Sequence, residues 1–191
     1  MGRVKEFDRE HVLHQAMLVF WRKGYEATSI PDLLAAMKLS RSSLYETFTD
    51  KETLYVEAIE HYKRTRQSKR DLLSNAKSAR EGIRAYFERH IAAAFDEALP
   101  GGCLVTNAAT DMDSPDPQVR RLIQDRFESL EQAFYDLLRR GQQTGEIDSA
   151  KDIRFLALLL LNLNHSINVI AKVNKDKARI VDMMDKVIEM L

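Results

Sequence analysis

Glycine and proline are scarce in this chain, at seven and four among 191 residues. Turn-rich all-β layouts consume both residue types, so the shortage points to helices. A single cysteine, Cys103, excludes an intrachain disulfide framework and a thiolate-built metal site. The five histidines, at positions 11, 14, 61, 90 and 165, follow no ligand spacing, so no metal or other cofactor is expected. Charge of one sign is missing as well. The formal net charge is +0, and any surface that meets nucleic acid must therefore be locally basic. Long apolar runs are absent too. The most apolar stretch, Phe155 to Leu163, is cut by Asn162 and followed by Asn164 and His165, short of the ~20 residues of a membrane span. The N-terminal "MGRVKEFDRE" runs into charge where a signal peptide needs apolar residues. A cytoplasmic protein without membrane contact is expected.

What is present is helical spacing. Hydrophobic residues make up 45% and charged residues 30%, ample for a core in a water-soluble balance. Leu13, Ala16, Met17, Phe20 and Trp21 form one face of a first helix, capped by Asp8 and ended at Gly24. "SIPD" starts a second helix, with Ser29 as cap, Pro31 in the first turn and Asp32 closing a capping box. Ser40 caps a short third helix reaching about Phe48, and "TDKE", a capping box from Thr49 to Glu52, launches a long fourth. Further amphipathic runs begin at Ser78, near Cys103, at Pro117, in "SAKD" and before Ile180. The reading is all-α with about nine helices.

"LSRSSLYETFTDKETL" (Leu39 to Leu54) is the informative stretch. Two helices joined by a few residues match a helix-turn-helix, and the second explains its own polarity if it enters a DNA groove N-terminus first. Small hydroxyls at Ser40, Ser42 and Ser43 permit close approach, and Arg41 can fork onto the acceptor edge of guanine. Leu44 and Phe48 are the expected anchors. Tyr45 and Lys51 are expected on phosphates, as is Thr28 just ahead of the second helix.

The longer stretch "AMLVFWRKGYEATSIPDLLAAMKLSRSSLYETFTDKETL" resembles the N-terminal DNA-binding domain of the TetR family of bacterial transcriptional repressors. The matching runs are "F…KGY…TS" and "L…SRSSLY..F..KE.L", over roughly Asp8 to Tyr55. The resemblance implies a three-helix DNA-binding head over residues 1–50 and a helical ligand-binding and dimerisation body over 51–191. It also implies an Ω-shaped homodimer, a palindromic double-stranded operator as partner, and release by a small-molecule inducer. Carried over by position, Thr28, Arg41, Ser42, Ser43, Tyr45 and Lys51 face DNA; Tyr25 is left between phosphate contact and packing. A basic arm through Arg3 and Lys5 is offset by Glu6.

In the body, inward helix faces offer Tyr62, Tyr86, Phe87, His90, Phe95, Asn107, Met112, Phe127 and His165 as lining for a ligand pocket. Cys103 follows two glycines at a helix start, where free N–H groups favour a thiolate, and "GGCLVTNAATDM" resembles a branch of the family with members that sense electrophiles. A thiol-sensing repressor is therefore the alternative, an all-α enzyme using Glu88, His90 and Cys103 a more remote one, and a helical scaffold a third. The run "KRTRQSKR" reads as the solvated end of the fourth helix. The helix holding Phe155 to Leu163 is apolar nearly all round, which calls for a second partner. A four-helix dimer interface with the helix of Phe127, Phe134 and Leu138 is expected, with Asn162 and Asn164 fixing register.

Overall fold

A computed structural model of the chain describes residues 7–111 and 117–191. Within them are ten helices and no strand: α1 (Arg9–Lys23), α2 (Ile30–Met37), α3 (Arg41–Phe48), α4 (Lys51–Thr65), α5 (Gln67–Ser74), α6 (Ala79–Ala94), α7 (Leu104–Thr110), α8 (Pro117–Gln143), α9 (Ile153–Val173) and α10 (Lys177–Glu189). Arg3, Lys5, Glu6 and Met112 lie outside the described residues.

Local chemistry starts the helices where the caps stand. Asp8 accepts from the Glu10 and His11 amides, Ser40 from Ser43, and Ser78 from Glu81. The Ser29–Asp32 capping box is complete, each side chain accepting from the other's amide. At "TDKE" the expected cap moves by one residue. Asp50, not Thr49, accepts from the Thr53 amide at 2.7 Å, and Thr49 turns the chain at φ 63°. A carboxylate is the better acceptor at a helix N-terminus. "SAKD" also shifts, with Asp152 as the cap of α9. Glu146, remote in sequence, accepts from Ser78 Oγ and from the Ala79 and Arg80 amides, so two side chains share the start of α6.

The tenth helix comes from a break the sequence conceals. Thr65 Oγ1 donates to the Tyr62 carbonyl at 2.8 Å, competing with the helix ladder, and the chain bends at Arg66 before α5 begins. "KRTRQSKR" is consequently not a solvated helix end. The bend turns Arg66, Lys69 and Arg70 inward, where Arg70 donates to the Ser129 carbonyl and hydroxyl.

Two apolar clusters form the core. The first joins Leu13, Phe20, Leu33, Leu44 and Phe48 of the head to Leu54, Ala58 and Tyr62 of α4, and reaches Leu104 of α7 and Ile123 of α8. The second packs Ile83, Tyr86 and Phe87 against Phe134, Leu137, Leu160 and Ile188. Helix α4 thus belongs to the head's packing while its far end enters the body.

Helix α9 is 21 residues long and, by composition, apolar enough to cross a membrane. Its inner face explains much of that. Ala157, Leu160, Leu161, Asn164, Ile167 and Asn168 are buried within the chain, whereas Phe155, Leu158, Asn162, Ser166, Val169 and Val173 form an exposed stripe. Phe134 and Leu160 are fully buried inside this one protomer rather than set at its surface. Asn164 is likewise internal, accepting from the Tyr86 hydroxyl at 3.0 Å, so of the two asparagines only Asn162 faces outward.

Candidate functional site

The N-terminus of α3 is an exposed polar tip on apolar roots. Leu44 and Phe48 are buried as the four-residue spacing requires, which forces Arg41, Ser42 and Tyr45 to the surface. Ser40 Oγ, besides capping the helix, lies 2.9 Å from Ser42 Oγ and 2.8 Å from Ser43 Oγ. The Arg41 guanidinium lies over the Tyr45 ring at 5.8 Å, a cation and a phenol on neighbouring turns. Lys51 opens α4 with its ammonium 4.3 Å from the centre of the Tyr25 ring. Tyr25 itself packs between Phe20 and Tyr55 under the helices. Thr28 departs from expectation. It is 1% exposed and its hydroxyl donates to the Gly24 carbonyl at 2.6 Å, so that side chain closes the α1–α2 turn.

A cavity of about 100 Å³ lies in the body, walled by α4 to α9 and closed at one side by Trp21 of α1. Tyr62, Tyr86, His90, Cys103, Phe127 and His165 line it. Three expected lining residues do not. Phe87 stacks on Phe134 at 5.8 Å inside the core, because its position on α6 faces α8. Phe95 ends α6 and packs on the body cluster, and Asn107 donates to the Gly101 carbonyl, tying the loop ahead of α7.

Sequence spacing missed the cavity's cations: Arg66, Lys69, Arg89 and Arg126. Lys69 Nζ is 2.9 Å from His90 Nδ1, and His90 Nε2 is 2.9 Å from the Asn164 carbonyl oxygen. A carbonyl only accepts, so Nε2 carries the imidazole proton and Nδ1 accepts from Lys69. Burial and then the Lys69 charge push His90 well below its ordinary range, keeping it neutral. Burial in turn pulls Lys69 down to about 7. On the opposite wall, Asn168 Nδ2 donates to Thr106 Oγ1, and Thr106 Oγ1 lies 3.1 Å from His165 Nδ1. Burial, then Lys69, lowers His165 to about 4, so it too is neutral at pH 7. Tyr62 donates its hydroxyl to Cys103 Sγ at 3.2 Å. The enzyme reading loses its components here, since His90 is saturated and Glu88 is exposed outside the lining.

An exposed serine-capped helix on a three-helix head, joined through α4 to a hollow helical body, defines a helix-turn-helix transcription regulator. Comparison with known proteins makes the assignment specific. The pattern described as "Bacterial regulatory proteins, tetR family" matches residues 12–58, and "Tetracyclin repressor-like, C-terminal domain" matches residues 79–187. The chain belongs to the TetR family of bacterial transcriptional regulators. It is 36% identical to the uncharacterized HTH-type transcriptional regulator YezE of Bacillus subtilis (strain 168), over 97% of this chain and 96% of that protein. It is 31% identical to the HTH-type transcriptional repressor ComR of Escherichia coli (strain K12), over 83% and 77%. Among solved structures, a cysteine variant of the TetR-family regulator CifR, complexed with 26-base-pair double-strand operator DNA, superposes with a TM-score of 0.87 at 31% identity and 98% coverage of both chains. All three are regulators of transcription, not enzymes.

Proposed function

We propose that the chain is a cytoplasmic repressor that binds a palindromic operator as a homodimer and lets go when a small molecule occupies the body cavity. The observation that carries this reading is the placement of α4. Its first residue, Lys51, stands beside the recognition helix, and Tyr62 near its other end lines the cavity. Residues 1–50 read the operator and residues 51–191 sense and dimerise, with α4 shared between them.

In this reading Ser40, Arg41, Ser42 and Ser43 enter the major groove, while Tyr45 and Lys51 hold phosphates. Thr28 contributes through the turn it closes and not through its hydroxyl. The exposed stripe of α9, apolar at Phe155, Leu158, Val169 and Val173 with Asn162 between, meets its copy on the partner alongside α8. Ligand binding need only favour a state with wrongly spaced heads. Coupling of ~1–3 kcal/mol changes operator affinity roughly 5- to 150-fold.

A mobility-shift titration with the native operator and a scrambled duplex tests the reading. Specific binding by a dimer supports it, and equal binding to both duplexes overturns it.

A further inference from the structure

We propose that the body cavity is a receptor for a small organic carboxylate, its head group held between Lys69 and Arg126 and its apolar part against Phe127. This inference rests on the cavity being the ligand site of the repressor and adds the chemical class of the ligand.

Charge is the first argument. Four cations, Arg66, Lys69, Arg89 and Arg126, border the cavity, and among the described residues no Asp or Glu does. Interior charges are ordinarily paired, because leaving one unpaired away from water is costly. Lys69 instead donates to a neutral imidazole and lies over the Tyr86 ring at 4.5 Å, with no carboxylate facing it. Burial leaves it about half protonated at pH 7, and a bound anion would restore its full charge.

Hydrogen-bond polarity is the second and independent argument. Among the described residues, the buried side-chain atoms without a partner are Trp21 Nε1, Arg70 Nε, Arg126 Nη1 and His165 Nε2. The indole and guanidinium nitrogens can only donate. His165 Nε2 follows its tautomer: where Thr106 Oγ1, which accepts from Asn168, gives its own proton to Nδ1, the imidazole hydrogen sits on Nε2, and where Nδ1 donates to Thr106, Nε2 is an acceptor. Trp21, Arg126 and His165 all line the cavity. The unused donors of Trp21 and Arg126 call for an acceptor, and an ionised carboxylate has two oxygens that only accept. Phe127, Ala93 and Leu130 supply apolar wall for a short hydrocarbon or aromatic body.

The full-length protein is titrated calorimetrically at pH 7 with pairs sharing a body and differing in head group, benzoate with benzamide and butyrate with butyramide. Carboxylates are expected to bind at least about ten-fold tighter than their amides. Lys69→Met and Arg126→Gln should each remove that preference, while Arg126→Lys should keep part of it. Circular dichroism verifies folding, and either neutralising variant carries the comparison if the other unfolds. Equal binding of amide and carboxylate would overturn the carboxylate assignment and leave the cavity as a ligand site. Preference unchanged in both neutralising variants would place the anions elsewhere and overturn it too. Selective, Lys69-dependent binding without effect on operator affinity would support the carboxylate site and overturn its role in release. Absence of binding by every fragment would overturn both together.

Discussion

His14 and His61 meet across the packing of α1 on α4, with Nδ1 of the first 3.2 Å from Nε2 of the second. His61 also reaches Glu10 at 3.0 Å, and Glu10 is shared with Arg64. Burial, then the charges of His61, His11 and Arg66, hold His14 below its ordinary value of 6.5. A base whose folded pKa is depressed stays neutral while the unfolded chain takes up a proton, so stability falls as pH drops below 6.5. His165 adds the same sign over the window from 6.5 down to about 4. Denaturant midpoints should therefore decline from pH 7.5 to pH 5, and His14→Gln should flatten the slope. An unchanged slope in that variant would remove His14 from the account.

Arg41 and Tyr45 should fail differently. Arg41→Ala is expected to cost about 1–3 kcal/mol of operator binding and to relax preference at one base pair per half-site. Tyr45→Phe should weaken all duplexes by a similar factor, since phosphate contacts position without specifying. Binding measured across operators with single base-pair changes separates the two. Retained preference in Arg41→Ala would reject α3 as the reading helix.

The dimer prediction depends on choosing residues from the correct face of α9. Leu158→Glu or Val169→Glu puts a charge on the exposed stripe and should yield a folded monomer by sedimentation. Leu160→Asp, by contrast, buries a carboxylate in the protomer core and should unfold it. A Leu158→Glu variant that sediments as a dimer would move the interface away from α9.

Much of this was legible because it is periodic or punctuated. The three-helix head, its caps at Asp8, Ser29 and Ser40, and the buried pair Leu44 and Phe48 all follow from spacing of three and four. Side-chain direction within the body was less legible. Phe87 and Tyr86 are adjacent in sequence, yet only Tyr86 reaches the cavity, and spacing on α6 alone does not reveal where α8 crosses it. The cations were hidden for another reason. A run such as "KRTRQSKR" ordinarily faces water, and only the bend at Arg66 turns Lys69 inward. Glu146 as a second cap of α6 is a tertiary contact with no local signature.

Cys103 has a concrete partner in the Tyr62 hydroxyl, so replacing its sulfur tests its role without emptying the wall. Cys103→Ser should preserve operator binding and carboxylate-driven release. Loss of release by electrophiles alone, measured by the same shift assay, would reveal a thiol route operating beside the noncovalent one. Loss of all release would overturn the noncovalent mechanism.

Helix α7 offers a direct route from cavity to head. Thr106 stands on the cavity wall, and Asp111, just past the end of the helix, lies against Gly24 at the end of α1. Gly24 has φ 77° and ψ 173°, a region essentially closed to other residues, and a Cβ there would stand 2.9 Å from Asp111 Oδ2. Gly24→Ala should therefore lose about 1–3 kcal/mol of stability from backbone strain. Asp111→Ala should recover only the part of that loss due to the contact, and a double-mutant cycle measures it. The functional consequence is separate. If α7 transmits ligand binding to α1, Asp111→Ala should bind the operator nearly as tightly as the unaltered protein, because Asp111 lies away from the reading tip of α3. The ratio of operator affinities without and with a saturating cavity ligand should fall, since one contact between the two parts is gone. A ratio equal to that of the unaltered protein would exclude Asp111 from the route and leave α4 as the lever.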